Sequence, residues 1–198
     1  MIQIGVAGSG CLVGGIVVGC YRDATQEFVA GSVAPTCFQN TDPEQPNQYA
    51  RKAYLAAAVA VVKVCFRELR VQPDEVSAVS NDYTLSGVHE WLTQQGYAWQ
   101  IAQATAPLHD LLMHEFQAYL ASLGCAIDHA TLTDRAKVGL FWWQQVRWLK
   151  HGNVAARTPE PTRAALCKTG WAKFADWAYR PYAESRARKA AAHPGGAR

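Results

Sequence analysis

Carboxylates are scarce in the stretches of this chain where a catalytic cluster would be sought. The 198 residues contain no Asp or Glu before Asp23 and none between positions 45 and 67. Asp82, Glu115, Asp128 and Asp134 are the remaining acids considered for acid–base or metal chemistry. His89, His109, His114, His129 and His151 are scattered. His109-Asp110 and Asp128-His129 are sequence neighbours, a pattern that reads as a surface histidine beside a carboxylate. Six cysteines stand at 11, 20, 37, 65, 125 and 167 with no C-x-x-C pair. They read as reduced thiols filling small core positions, with a cytoplasmic location expected and no zinc site. Gly8-Ser9-Gly10 and Gly14-Gly15 hint at a phosphate loop. The Gly-Lys-Ser/Thr ending is missing and no helix pattern follows, so that reading fails.

The elements that must carry these residues follow from apolar periodicity and its punctuation. Positions 2–7, 15–22 and 26–34 read as three strands, with turns at 10–15 and 22–26, forming an antiparallel meander. Positions 35–46 form a polar loop. The clearest helix runs 48–69, started by Asn47, apolar nearly all round from Ala53 to Val62 and so expected deep against a sheet. A fourth strand is expected at 76–80, a helix at 84–95, irregular chain at 96–107 and a helix at 107–121 closed by Gly124. A fifth strand is expected at 125–132, then a helix at 135–150 capped by Thr133-Asp134 and ended by Gly152. Pro159 and Pro161 mark a linker before a last helix at 162–179. The expected fold class is α/β: a mixed five-stranded sheet flanked by helices, three antiparallel strands first, with a C-terminal helical extension. The division expected is a domain at 1–152, then linker, aromatic helix and basic tail at 153–198. No apolar run reaches the roughly 18 residues that cross a bilayer.

That element order, with the local sequence, resembles the ribonuclease H-like superfamily over positions 1–150. Val6-Ala7-Gly8-Ser9 is similar to the family's first-strand aspartate followed by Gly-Ser. Asn47-Gln48-Tyr49-Ala50-Arg51 is similar to Asn-Asn-x-Ala-Glu at the first helix. The stretch from Tyr83 to Leu92, with Gly87 and Trp91, looks like the helix after the fourth strand. Thr133-Asp134-Arg135-Ala136-Lys137 resembles the last-helix motif Asn-x-x-Ala-Asp. The resemblance implies two divalent metals about 4 Å apart on a cluster of acids, activating water for strand cleavage. The acids do not carry over. The first aspartate falls at Ala7, the first-helix glutamate at Arg51 and the last-helix aspartate at Lys137. The fourth-strand aspartate falls at Ser80, or at Asp82 with a two-residue shift. Asp82, with Asp134 one turn before Lys137, is what remains. No metal or other cofactor is therefore expected.

Arg51 and Lys137 stand where acids are lost. They are read three ways: as fixed cations holding a nucleic-acid phosphate in place of metals, as partners of Asp82 or Asp134, or as solvated charges. Asn47, Gln48 and Asn81 are amides at the same edge, with Asn47 also serving as a helix cap. Phe141, Trp142, Trp143 and Trp148 on one helix, and Trp171, Phe174 and Trp177 on the last, read as a clasp between extension and body. Base stacking and an oligomer interface are the alternatives. The tail 180–198 holds five basic residues against Glu184.

The sequence thus leads to the expectation of a catalytically degenerate ribonuclease H-like protein that binds an RNA–DNA hybrid or duplex without cutting it. One alternative is a Mg²⁺- or Mn²⁺-dependent nuclease rebuilt on Asp82, Asp128, Asp134 or Glu115. Another is a homodimer or protein-interaction module using the aromatic C-terminal region.

Overall fold

A computed structural model describes residues 1–40, 44, 47–153 and 158–179. Its centre is a mixed five-stranded sheet. β1 (Ile2–Ala7), β2 (Ile16–Arg22) and β3 (Glu27–Val33) form the antiparallel meander, and β4 (Ser77–Val79) and β5 (Trp99–Ile101) run parallel to β1, in the order β3-β2-β1-β4-β5. Helices α1 (Ala53–Leu69), α2 (Ser86–Gln94) and α3 (Ala106–Ser122) connect and flank the strands. After them come α4 (His129–Thr133), α5 (Val138–Leu149), α6 (Pro161–Ala164) and α7 (Ala172–Ala178). No helix among the described residues is long and apolar enough to cross a membrane.

The period-2 alternation of β1 and β2 sorts their side chains onto two faces. Ile2, Ile4, Ile16, Val18 and Cys20 meet α1 and α2 through Tyr54, Ala58, Val62, Phe66, Val88 and Leu92. Ala7, Val17 and Tyr21 meet Leu108, Leu112, Phe116 and Leu120 of α3. Gly5 and Gly19 are cross-strand partners on the α3 face. A Cβ on Gly5 would lie 2.8 Å from Leu112 Cδ1, and one on Gly19 3.0 Å from Leu112 Cδ2. The paired glycines therefore open the furrow into which α3 settles. Gln3, buried on that face, ties down the start of α3: its Oε1 accepts from Thr105 N at 3.0 Å and Thr105 Oγ1 at 2.9 Å.

Four expectations need correction. The fifth strand is Trp99–Ile101, within the stretch expected to be irregular or extended, and not 125–132. In the latter stretch Cys125 and Ile127 are buried, but Asp128 turns the chain into α4 by accepting from Thr131 N at 2.8 Å. β5 is a short edge strand with Ile101 exposed, so it lacks the apolar alternation that announces a strand. The first helix starts at Ala53; residues 47–52 form turns bounded by left-handed Asn47 and Lys52, so Asn47 does not cap it. Nor is α1 buried all round: Ala56 and Ala60 face out, which alanine tolerates at little cost. The helix expected at 162–179 is broken into α6 and α7. Between them Gly14 N donates to Leu166 O at 2.7 Å and Lys168 N to Leu12 O at 2.9 Å. Those bonds, with the bridge between Val13 and Cys167, lay 166–168 as an extended segment against the chain after β1. The tail 180–198 lies outside the described residues, as does the side chain of Trp177.

Gly5→Val is expected to lower stability by about 1–3 kcal/mol, the usual cost of overpacking, because Leu112 must leave its furrow. Urea unfolding followed by circular dichroism checks this.

Candidate functional site

The chain leaving β1 is held from all sides by side chains distant in sequence. Gly8 has φ +87°, and a Cβ there would stand 2.3 Å from the Phe116 ring, so the turn needs glycine for both conformation and space. Gln145 of α5 is fully buried. Its Oε1 accepts from Leu12 N at 2.7 Å, Val13 N at 3.3 Å and Cys11 Sγ at 2.8 Å. Tyr119 Oη of α3 accepts from Gly15 N at 3.1 Å.

Lys168 completes this frame. It is 0% exposed, and its Nζ donates to Gly8 O at 2.6 Å and Cys11 O at 2.7 Å, 160 and 157 residues away. The ammonium also lies 5.3 Å from the centre of the Phe38 ring, within cation–π range. Burial pulls its pKa down from 10.5 to about 8. Cys11, Cys167 and the Asp82 carboxylate oppose that pull. Burial also pushes the Cys11 thiol up to about 11. The two carbonyl bonds further favour the charged form.

Asp82 closes the site from the end of β4. Its Oδ2 accepts from Ser9 Oγ at 2.8 Å, and its Oδ1 from Thr84 N at 2.9 Å and Thr84 Oγ1 at 2.6 Å. Tyr83 Oη reaches Ser9 O at 3.4 Å. Tyr83 stands edge-on to Tyr54 at 5.9 Å, and Tyr54 stacks with Tyr49 at 5.7 Å. This aromatic row fixes the turn at 47–52, with exposed Arg51, to the end of the sheet where Asp82 lies. Beside Ser9 a cleft of about 320 Å³ opens between the turn, Phe116 of α3 and Phe141 and Trp142 of α5.

The remaining predicted residues are distributed around this end and beyond it. Asn81 is exposed next to Asp82, and Gln48 is half-buried in the turn, its carbonyl accepting from Ala53 N. Lys137 lies 3.8 Å from Asp134 on the partly exposed turn before α5, the pairing that was one of its three readings. Asp134 also caps that turn through Ala136 N. Asp128 caps α4, and the Thr131 hydroxyl and amide hold its carboxyl below the usual range. Glu115 lines a separate cleft between α3 and the β2–β3 ribbon with Ser32 and Tyr119. The acids are therefore spread over different elements, and among the described residues no group of three or more His, Cys, Asp or Glu could hold a metal ion. This donor set does not fit a two-metal centre, which needs several carboxylates converging on both ions.

Trp142 meets Trp171 at 6.1 Å between ring centres, and Phe174 is buried in the core on the α3 face. Residues 160–178 thus pack on α5 and on the chain after β1. Lys168 and Gln145 were not singled out from sequence, and Ser9 entered only within the Val6-Ala7-Gly8-Ser9 and Gly8-Ser9-Gly10 stretches. Lys168 is one of 19 basic residues, and nothing local marks it as buried. In comparisons with known proteins, no family model, curated protein or solved structure matches this chain.

The sign of the pH effect follows from Lys168. Between about pH 8 and 10.5 the unfolded chain holds a Lys168 proton that the folded chain has released, so Lys168 contributes stability that rises with pH across that window, opposed above about pH 9 by buried thiols such as Cys11, whose folded pKa is raised. Below it the full cost of the buried charge is present. Lys168→Met is expected to remove this contribution, read as a difference in urea midpoint between the parent chain and the variant that changes from pH 7 to 10.5. A difference that does not change with pH would overturn the assignment to Lys168.

Proposed function

We propose that this chain is a cleavage-incompetent ribonuclease H-like protein that binds an RNA–DNA hybrid or duplex at the end of β1 and β4. One observation carries the reading. At the end of the central strand stand Ala7, a buried ammonium from Lys168 and, among the described residues, a single carboxylate, Asp82, whose oxygens already accept from Ser9 and Thr84. Strand cleavage by the family's chemistry needs acids that this end of the sheet lacks. The meander, α1, β4 and α2 follow one another in the expected order, whereas β5 comes directly after α2 and ahead of α3, not after it.

The nucleic-acid part of the reading is supported by Arg51 and Asn81, both exposed and both tied to the Asp82 end of the sheet. A guanidinium there can hold a backbone phosphate through two parallel N–H donors. Lys168 plays a different part in this reading. Its ammonium is turned inward on two carbonyls, so it shapes the turn against which a strand would lie and does not touch that strand.

A labelled RNA–DNA hybrid incubated with Mg²⁺ or Mn²⁺ at low and moderate salt tests this. The expected result is binding that weakens as salt rises, no cleavage, and several-fold weaker binding for Arg51→Ala. Metal-dependent cleavage lost in Asp82→Asn would overturn the reading in favour of a rebuilt nuclease. Absence of binding at low salt would overturn it in favour of a protein-interaction role.

A further inference from the structure

A second feature suited to nucleotide chemistry lies at the opposite end of α1. Tyr54 at the start of the helix packs against Tyr83, the residue after Asp82, whereas Lys63, Arg67 and Arg70 lie toward its end. A helix of this length spans about 25 Å. The three cations are spaced i, i+4 and i+7, which places them along one stripe. They border a cleft of about 290 Å³ whose other wall is Trp91 of α2 and Tyr97 of the α2–β5 connection.

The aromatic wall is braced from inside. Buried Phe66 stands edge-on to Trp91 at 5.4 Å and to Tyr97 at 5.2 Å, and Trp91 and Tyr97 are 5.5 Å apart. Lys63 Nζ lies 5.7 Å from the centre of the Trp91 ring. A cation and an aromatic face are therefore presented together in one recess. Arg70 holds a left-handed backbone at φ 53°, closing the helix through its N–H to Arg67 O and Phe66 O.

The end of a helix attracts cations on its own account, because its free carbonyls carry partial negative charge. That explains Arg67 and Arg70. It does not explain Lys63, about two turns upstream, or the aromatic wall opposite. The acids nearby leave the cations available. Glu68 pairs with Arg67 at 3.0 Å, but both are exposed, and such pairs are worth little and exchange readily. Glu27 faces Arg70 from β3, where the Thr25 hydroxyl, more than Arg70, lowers its carboxyl.

We propose that this cleft binds one nucleotide unit, the phosphate held by Lys63, Arg67 and Arg70 and the base against Trp91 and Tyr97. Phosphate needs donors and charge, and a base needs a flat π surface. The cleft offers both, and its volume is at the lower bound for a small-ligand site, which suits one nucleotide and not a duplex. The nucleotide can be free or part of a single strand. This inference stands apart from the reading of the β1–β4 end, since the two share no residue.

Titration calorimetry of the full chain with 5′-AMP, inorganic phosphate and a ten-residue oligothymidylate tests it, together with the indole ¹⁵N–¹H resonance of Trp91, assigned by its loss in Trp91→Phe. The expected result is a shift of the Trp91 resonance on adding nucleotide. AMP or oligothymidylate should bind at least ten-fold more tightly than phosphate, with a ten-fold or greater loss in the double variant Arg67→Ala/Arg70→Ala. These arginines are exposed, so that variant should keep its fold, checked by circular dichroism. AMP binding assigns a free nucleotide; oligothymidylate binding without AMP binding assigns a strand. Binding of neither, binding no tighter than phosphate, an unmoved Trp91 resonance, or full affinity in the double arginine variant overturns the proposal. Arg51→Ala should leave this binding unchanged, which separates its failure from that of the hybrid-binding role.

Discussion

The arrangement around the central strand depends on one buried charge. Bringing an ammonium out of water costs several kcal/mol even after relaxation, and Lys168 has no exposed surface. Two short bonds to Gly8 O and Cys11 O offset that cost, helped by the Phe38 ring and the nearby Asp82 charge. Hydrogen bonds to a charged donor contribute about 1.5–3 kcal/mol each. The bonds satisfy carbonyls of a turn that belongs to no regular element. They also require 166–168 to lie extended against 12–14, which is why the last part of the chain cannot continue as one helix. Gln39 supports this arrangement from the other side, donating to Ala165 O and Cys167 O.

The acids show a complementary economy. Asp82, Asp128, Asp134 and Glu160 each accept from backbone N–H groups at the start of a helical turn. Asp82, Asp128 and Glu160 also take the hydroxyl of a threonine two or three residues on. Carboxylates engaged in this way stabilise local turns. They are neither convergent nor free, which distinguishes them from carboxylates gathered for metal chemistry.

The meander and the first and third helices were legible from sequence, because each depends on near neighbours, whereas Asp134 caps only the turn at 135–137 and the helix carrying Trp142 starts at Val138 with no side-chain cap. Alternation in Ile2, Ile4 and Val6 is a local signal. So are Gly124 and Gly152, both with positive φ at a helix end. β5 was legible only as extended chain, since pairing with β4 is what makes Trp99–Ile101 a strand. Cys125 and Ile127 imitate a strand because burial alone makes a short apolar run.

What the sequence by itself determined is the class of fold and the shortage of acids: apolar periodicity sets the elements, and a carboxylate missing from positions 1–22 and 45–67 cannot be supplied there by folding. What only the tertiary structure decided is which cation lies at the end of β1. Arg51 and Lys137 were the cations suggested by motif. The ammonium in contact with the turn is Lys168, because the segment carrying it pairs with the chain after β1 through bonds spanning more than 150 residues. Contacts at that separation are set by packing, by the furrow at Gly5 and Gly19 that places α3 and by the aromatic contact that docks Trp171, and no local pattern of residues records them.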